Sequence, residues 1–308
     1  MNKKKLSLCL FSLVFIAFAN SAHSQQPLPS SLLSSSKLVF YTLGDQGTGG
    51  KKQRKVAAAM EREAEKSGKP DFVLLLGDNF YNNGVVSIDD YQWQEKFEKI
   101  YSGTQLKDIP FFAVLGNHDY YQNSDAQVQY SQQAKGSKRW QMPDKYYRFD
   151  LGRVNNRPLL RLLGLDTTNV DSFDKQASFI KQSFSSNKNK PLWRIVAGHH
   201  PLYSASRHGP TKSMHPKILP AMQDSKVHIY FAGHDHNLQL IKLMFNPIQV
   251  VSGGGGRVLY PIVRGHEGVR FAKSKFGFVK VVVGEHNMKL TYFNHKGRVL
   301  FETVENHW

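Results

Sequence analysis

Five times in this chain an apolar run of strand type ends at a glycine, and hard polar side chains follow at once. VFYTLGDQG delivers Asp45, FVLLLGDNFY delivers Asp78 and Tyr81, and FFAVLGNHD delivers Asn117 and His118. RIVAGHHP delivers His199 and His200, and IYFAGHDH delivers His234, Asp235 and His236. In an open α/β sheet, ligands bind outside the carboxyl ends of the strands. The five segments are therefore expected to meet at one edge, with Gly44, Gly77, Gly116, Gly198 and Gly233 letting the chain turn sharply.

The stretches between them alternate in type. Strands are expected at Lys37 to Leu43, Asp71 to Leu76 and Phe111 to Leu115, with helices at Lys51 to Ser67 and Ile88 to Tyr101. Tyr146 to Leu151 and Leu159 to Leu165 read as a strand pair around a turn, and Lys175 to Phe184 as a helix. Trp193 to Ala197 and His228 to Ala232 are further strands, and Leu238 to Val304 is mostly short strands between Gly- and Asn-rich turns. Helices alternating with buried strands, then meandering strands, predict one large α/β domain over 37–308 with two packed sheets.

The N-terminus reads differently. Lys3, Lys4 and Lys5 precede an uncharged apolar run from Leu6 to Ala19, and Ala22-His23-Ser24 offers a cleavage site before Gln25. Residues 1–24 thus read as a secretory signal peptide, too short to span a bilayer stably. The Ser-, Pro- and Gln-rich residues 25–36 read as a flexible lead-in. The single cysteine, Cys9, lies in the leader, so the mature chain has no disulfide. Basic residues number 41 against 24 acidic, a net charge of +17 that becomes +14 without the three leader lysines. Such a surface draws anions, but the lysines are scattered and show no aromatic-interleaved stripe, so no specific nucleic-acid partner is expected. No later segment is long and apolar enough to span a membrane.

The converging set is rich in Asp, His and Asn and holds no Cys, which suits iron, manganese or zinc. Asp78 has two oxygens with which to bridge two metals, a known device for phosphoryl chemistry. The order GDQG, GDNFY, GNHD, AGHH, GHDH resembles the motif series of the metallophosphoesterases. Tyr81, three residues after Asp78, narrows the resemblance to the purple acid phosphatases. GDNFYNNGV, SKRWQMPDKYYRF, SASRHGPT and AGHDHNLQL resemble their small, single-domain, mammalian-type (tartrate-resistant) branch.

The resemblance implies a two-sheet sandwich flanked by helices, with an α/β/β/α layering. It implies a ferric ion on Asp45, Asp78, Tyr81 and His236. It implies a divalent iron, zinc or manganese ion on Asp78, Asn117, His199 and His234. His118 and His208 match residues that face the substrate phosphate or leaving group, and are expected to supply the leaving-group proton. Metal-bound hydroxide would be the nucleophile, active in acid. His200 is read as a non-ligand, Asp119 and Asp235 as groups holding imidazoles by hydrogen bonds, and Gly253 to Gly256 as a turn near the site. Between Asp166 and Trp193 this chain is shorter than the mammalian enzymes, which carry a protease-sensitive loop there.

The leading expectation is a monomeric, exported acid phosphatase acting on small phosphate monoesters, in a bacterial periplasm or medium. A phosphodiesterase or nucleotidase on the same scaffold is the neighbouring alternative, and a non-catalytic phosphate- or surface-binding protein is the alternative from another class.

Overall fold

The computed structural model describes residues 28–185, 189–245, 247–263, 265 and 267–307. The expected leader lies outside the described residues. The chain runs α1 (Ser30–Ser34), β1 (Leu38–Leu43), α2 (Lys51–Ser67), β2 (Phe72–Leu76), β3 (Phe111–Val114), α3 (Asp125–Gln132), β4 (Trp140–Gln141), β5 (Tyr147–Val154), β6 (Arg157–Gly164) and α4 (Phe173–Ser185). It continues with β7 (Trp193–Ala197), α5 (Ile218–Asp224), β8 (Ile229–Ala232), β9 (Leu238–Ile241), β10 (Ile248–Ser252), β11 (Val269–Lys273), β12 (Gly277–Val283), β13 (Asn287–Asn294) and β14 (Val299–Asn306).

Two mixed seven-stranded sheets result. One has the order β14-β13-β12-β1-β2-β3-β4, the other β11-β9-β10-β8-β7-β6-β5. Strands β1 to β4 are mutually parallel in the first sheet, and β6, β7, β8 and β10 in the second. All five residues of β2, FVLLL, are buried, as expected of a parallel strand covered on both faces. The two sheets stack through aromatic contacts: Phe40 on β1 meets Phe231 on β8 edge-on at 5.7 Å, and Phe112 on β3 meets Phe149 on β5 at 4.8 Å. Helix α2 buries Val56, Met60 and Ala64, one stripe at helical spacing. On the outer face of the second sheet, Phe173 and Ile180 of α4 and Ile218 and Met222 of α5 pack with Leu163, Val196 and Tyr230.

Helix α2 and strand β7 fall where the pattern places them. The β5–β6 hairpin turns at Asn155 and Asn156, both at positive φ (49° and 62°), as the two-residue turns that match strand twist require. The helix expected over Ile88 to Tyr101 is reduced to one wide turn, Gln94–Glu98. The cause is local: the Asp90 carboxylate accepts the backbone N–H groups of Val86 and Gln92, closing a turn in competition with a helix. Within the expected lead-in, α1 forms a helical turn and Leu32 is buried. Among the described residues, no helix is long and apolar enough to cross a membrane.

Candidate metal centre

The parallel strands of both sheets point their carboxyl ends at one edge, and the five polar segments meet there. From the first sheet, Asp45 follows β1, Asp78 and Tyr81 follow β2, and Asn117 and His118 follow β3. From the second, His199 follows β7, and His234 and His236 follow β8. The sharp turns are made by the polar residues themselves: Asp45, Asp78 and His234 have positive φ (59°, 53° and 66°). Of the five glycines expected to turn the chain, only Gly77 has positive φ. Gly116 supplies room instead, since a Cβ there would lie 2.3 Å from the Asp78 backbone N and from its Oδ1.

The donors fall into two groups. In the first, the Tyr81 hydroxyl lies 2.7 Å from Asp78 Oδ2, 3.1 Å from Asp45 Oδ1 and 3.1 Å from His236 Nε2. In the second, Asn117 Oδ1 lies 3.1 Å from both His199 Nε2 and His234 Nδ1, which are 3.2 Å apart. Asp78 belongs to both: Oδ2 faces Tyr81, while Oδ1 lies 3.5 Å from His199 Nε2. The imidazoles are fixed from behind. His199 Nδ1 bonds to the Leu76 carbonyl at 2.8 Å and His236 Nδ1 to the Val258 carbonyl at 2.6 Å. Each therefore holds its proton on Nδ1 and turns the Nε2 lone pair inward.

Electrostatics say the same. Asp45 and Asp78 are 0% and 1% exposed, and no Lys or Arg of the described residues pairs with either. Buried carboxylates side by side need a cation. Burial, then Asp45, then Asp78 push the Tyr81 phenol well above its ordinary pKa. A cation among these oxygens would reverse that and favour the phenolate. Burial opposes charging His199, but Asp78 and Asp45 outweigh it and raise its pKa. Donors packed about 3 Å apart, all oxygen or imidazole nitrogen, suit ions that bind them at about 2.0–2.2 Å. The residues therefore fit the implied metals.

Three comparisons bear on the family. The calcineurin-like phosphoesterase pattern matches residues 39–238. Tartrate-resistant acid phosphatase type 5 of Rattus norvegicus is 34% identical over 260 residues, 76% of this chain and 78% of that protein. Purple acid phosphatase 3 of Arabidopsis thaliana is 31% identical, over 94% of this chain and 82% of its own length. This chain belongs to the purple acid phosphatases. The structure of a purple acid phosphatase from yellow lupin (Lupinus luteus) seeds shares the fold, with a TM-score of 0.68 at 20% identity, over 88% of this chain and 54% of that one. The two-sheet architecture is the metallophosphoesterase fold, and the chain is an enzyme of the acid phosphatase group.

Around the centre of this purple acid phosphatase, His118 is half-buried, with its ring 4.6 Å from that of Tyr81 and its backbone N–H on Asp78 Oδ1 at 2.9 Å. His208 is exposed, its ring 4.5 Å from His234 and 5.0 Å from Tyr260. His200 comes closer than its reading as a bystander implies: with His199 and His234 it offers ring nitrogens within 4.8 Å of one another. Its Nδ1 is 3.0 Å from Thr167 Oγ1. Asp119 holds no imidazole. It is buried and accepts backbone N–H groups from Asn79, Phe80 and Gly116, tying the loop after β2 to the loop after β3. Asp235 is likewise buried, among Ser204, Ser206 and the backbone of His208. The glycine run lies beside the site as expected, with the Gly255 N–H on the Gly44 carbonyl and the Arg257 N–H on the Asp45 carbonyl.

Several neighbours went unread in the sequence. Thr167 accepts the backbone N–H groups of His199 and His200. It follows β6, so LLGLDTT is a sixth strand end of the same kind, and that was the available signal. Tyr260 stacks on His236 at 4.1 Å, and Arg257 sits over the Tyr81 ring at 4.8 Å. Nothing in their local sequence marks them.

Proposed function

We propose that this chain hydrolyses phosphate monoesters in acid on two metal ions, one ferric and one divalent (iron, zinc or manganese). The observation that carries the reading is Asp78, whose two oxygens face two separate donor groups. Asp45, Asp78, Tyr81 and His236 would hold the ferric ion, because a phenolate is a hard anionic donor. Asp78, Asn117, His199 and His234 would hold the divalent ion, since neutral Asn117 lowers the ligand charge there. Bound ions would supply Lewis acidity and a water deprotonated in acid.

The chain's own groups do the rest. His118 bonds through Nδ1 to the Asn82 carbonyl, so a charged ring presents its second proton at Nε2. That proton, or one from His208, goes to the leaving alkoxide oxygen. Asp119 fixes the two loops that carry Asp78, Tyr81 and Asn117 relative to one another. The basic leader and the apolar run after it support export, and small phosphorylated compounds are the substrates.

The test is turnover of p-nitrophenyl phosphate and bis(p-nitrophenyl) phosphate by iron- and zinc-loaded protein from about pH 4 to about 8, with a visible spectrum on the same sample. The expected result is monoester turnover greatest in acid and above the diester rate, in a coloured protein. Diester turnover above monoester at every pH would move the chain to the phosphodiesterases. Phosphate binding without turnover of either would make it a binding protein.

A further inference from the structure

We propose a second anion site, for a phosphate- or sulfate-class oxyanion, on the sheet edge opposite the metal centre. A cavity of about 280 Å³ opens there, lined by Arg157, Lys190, Arg194, Lys226, His228 and His307, and by no carboxylate among the described residues. Arg194 is the second residue of β7, whose far end leads to His199, and His228 precedes β8, whose far end leads to His234. Five or six residues of strand at about 3.3 Å each put the two sites roughly 16–20 Å apart. This cavity is therefore not an extension of the metal site.

The decisive feature is Arg194. It is only 8% exposed, and a buried guanidinium ordinarily has an acid. The other two buried arginines obey that rule: Arg139 pairs with Glu98 at 3.0 Å, and Arg161 grips Asp150 through two bonds of 2.6 and 2.7 Å. Among the described residues, the Arg194 guanidinium is bonded only to the Ser225 carbonyl, which neutralises nothing. Arg157, Lys190 and Lys226 likewise have no carboxylate partner among the described residues. Burial, then Arg161, depress the Arg194 pKa, as expected of a cation awaiting its counter-charge.

Two histidines complete the wall, and the His307 Nε2–H is already given to the Leu192 carbonyl at 2.7 Å. His228 Nδ1 accepts the Arg194 backbone N–H at 3.0 Å, so its proton sits on Nε2. Four permanent cations around a cavity this small suit one compact multivalent anion rather than a polymer strand. A guanidinium fork is the group that recognises such oxyanions in two places at once. The strongly positive chain concentrates them near its surface.

The experiment is equilibrium dialysis of metal-loaded protein against radiolabelled inorganic phosphate, beside inhibition of hydrolysis by phosphate, which reports the metal centre separately. The parent should bind two equivalents. The Lys190→Gln/Lys226→Gln variant changes two exposed side chains and should weaken one equivalent by about tenfold or more, with turnover and inhibition unchanged. Arg194→Gln, checked by its melting curve, should do the same. A single equivalent in the parent, or two undiminished equivalents in both variants, overturns the proposal. Competition separates sources: displacement from this site by phenylphosphonate would mark it as open to phosphoryl groups on larger molecules, and displacement by sulfate alone as a site for free oxyanions.

Discussion

Replacing Gly116 by alanine adds one methyl group where β3 passes the loop after β2. The backbone there is extended (φ −109°, ψ 175°), so alanine meets no conformational penalty. Space alone is the obstacle. The new carbon would lie 2.3 Å from both the backbone N and Oδ1 of Asp78, and 2.9 Å from its Cγ. Ordinary contacts of a carbon lie at about 3.5 Å, so Asp78 or the strand end must move by roughly 1 Å. Overpacking of this kind costs about 1–3 kcal/mol of stability. The greater effect falls on the chemistry, because both donor groups share Asp78, and a misplacement of about 1 Å costs on the order of 100-fold in rate. The assay is turnover of p-nitrophenyl phosphate with metal content and melting temperature on the same preparation. Gly284→Ala is the control, because its nearest neighbour would be the Asn287 carbonyl oxygen at 3.6 Å. A Gly116→Ala protein with parental metal content and turnover would refute the bridging role of Asp78.

Other expectations are simpler to state. Tyr81→Phe keeps the ring beneath Arg257 but removes the hydroxyl between Asp45, Asp78 and His236; the protein should stay folded and lose its visible absorption, and retained colour would place the tyrosine outside the ferric shell. His118→Ala should lower turnover by about 10²–10⁴ for alkyl phosphates and less for aryl ones, whose leaving groups need less protonation; equal losses would count against a proton-donating role. Burial, then His307 and Arg194, push the His228 pKa down from 6.5 to about 3. The unfolded chain therefore takes a proton that the folded chain refuses, and stability falls as pH drops from about 6.5 towards 3. His228→Asn should flatten that slope in urea melts taken across the range, and phosphate in the neighbouring cavity should flatten it in the parent; an unchanged slope in the variant would remove His228 as its source.

What could be read from the chain was whatever a short window contains. Each strand end announces itself within nine or ten residues, so Asp45, Asp78, Tyr81, Asn117, His199, His234 and His236 could be named and their meeting edge foreseen. Helix α2 carries its own stripe, Val56, Met60 and Ala64. Helix α3 carries none: in DAQVQYSQ the apolar Ala126, Val128 and Tyr130 fall at every second residue, the spacing of a strand, and Gln127 and Ser131 are buried by what surrounds them. Helix α5 was hidden by Pro220 within its span. The role of Asp119 depends on two backbone N–H groups that lie 39 and 40 residues earlier in the chain. Arg194 reads as an ordinary strand residue until the other buried arginines are seen to have partners and it is not.

The division of the donors between the two sheets also sets an order of assembly. Asp45, Asp78, Tyr81 and Asn117 come from one sheet, and His199, His234 and His236 from the other, with Asp45 and His236 separated by most of the chain. Pairings this distant in sequence form late and slowly. If the chain, proposed above to be exported, crosses the membrane unfolded, it holds no complete donor group on the way and would carry neither ion with it. On the proposed two-ion reading, metal capture would follow the docking of sheet on sheet, and the ions available at that moment would decide which are trapped. Once in place, the same ions would oppose the sliding apart of the two layers, so that unfolding and metal release would become one event.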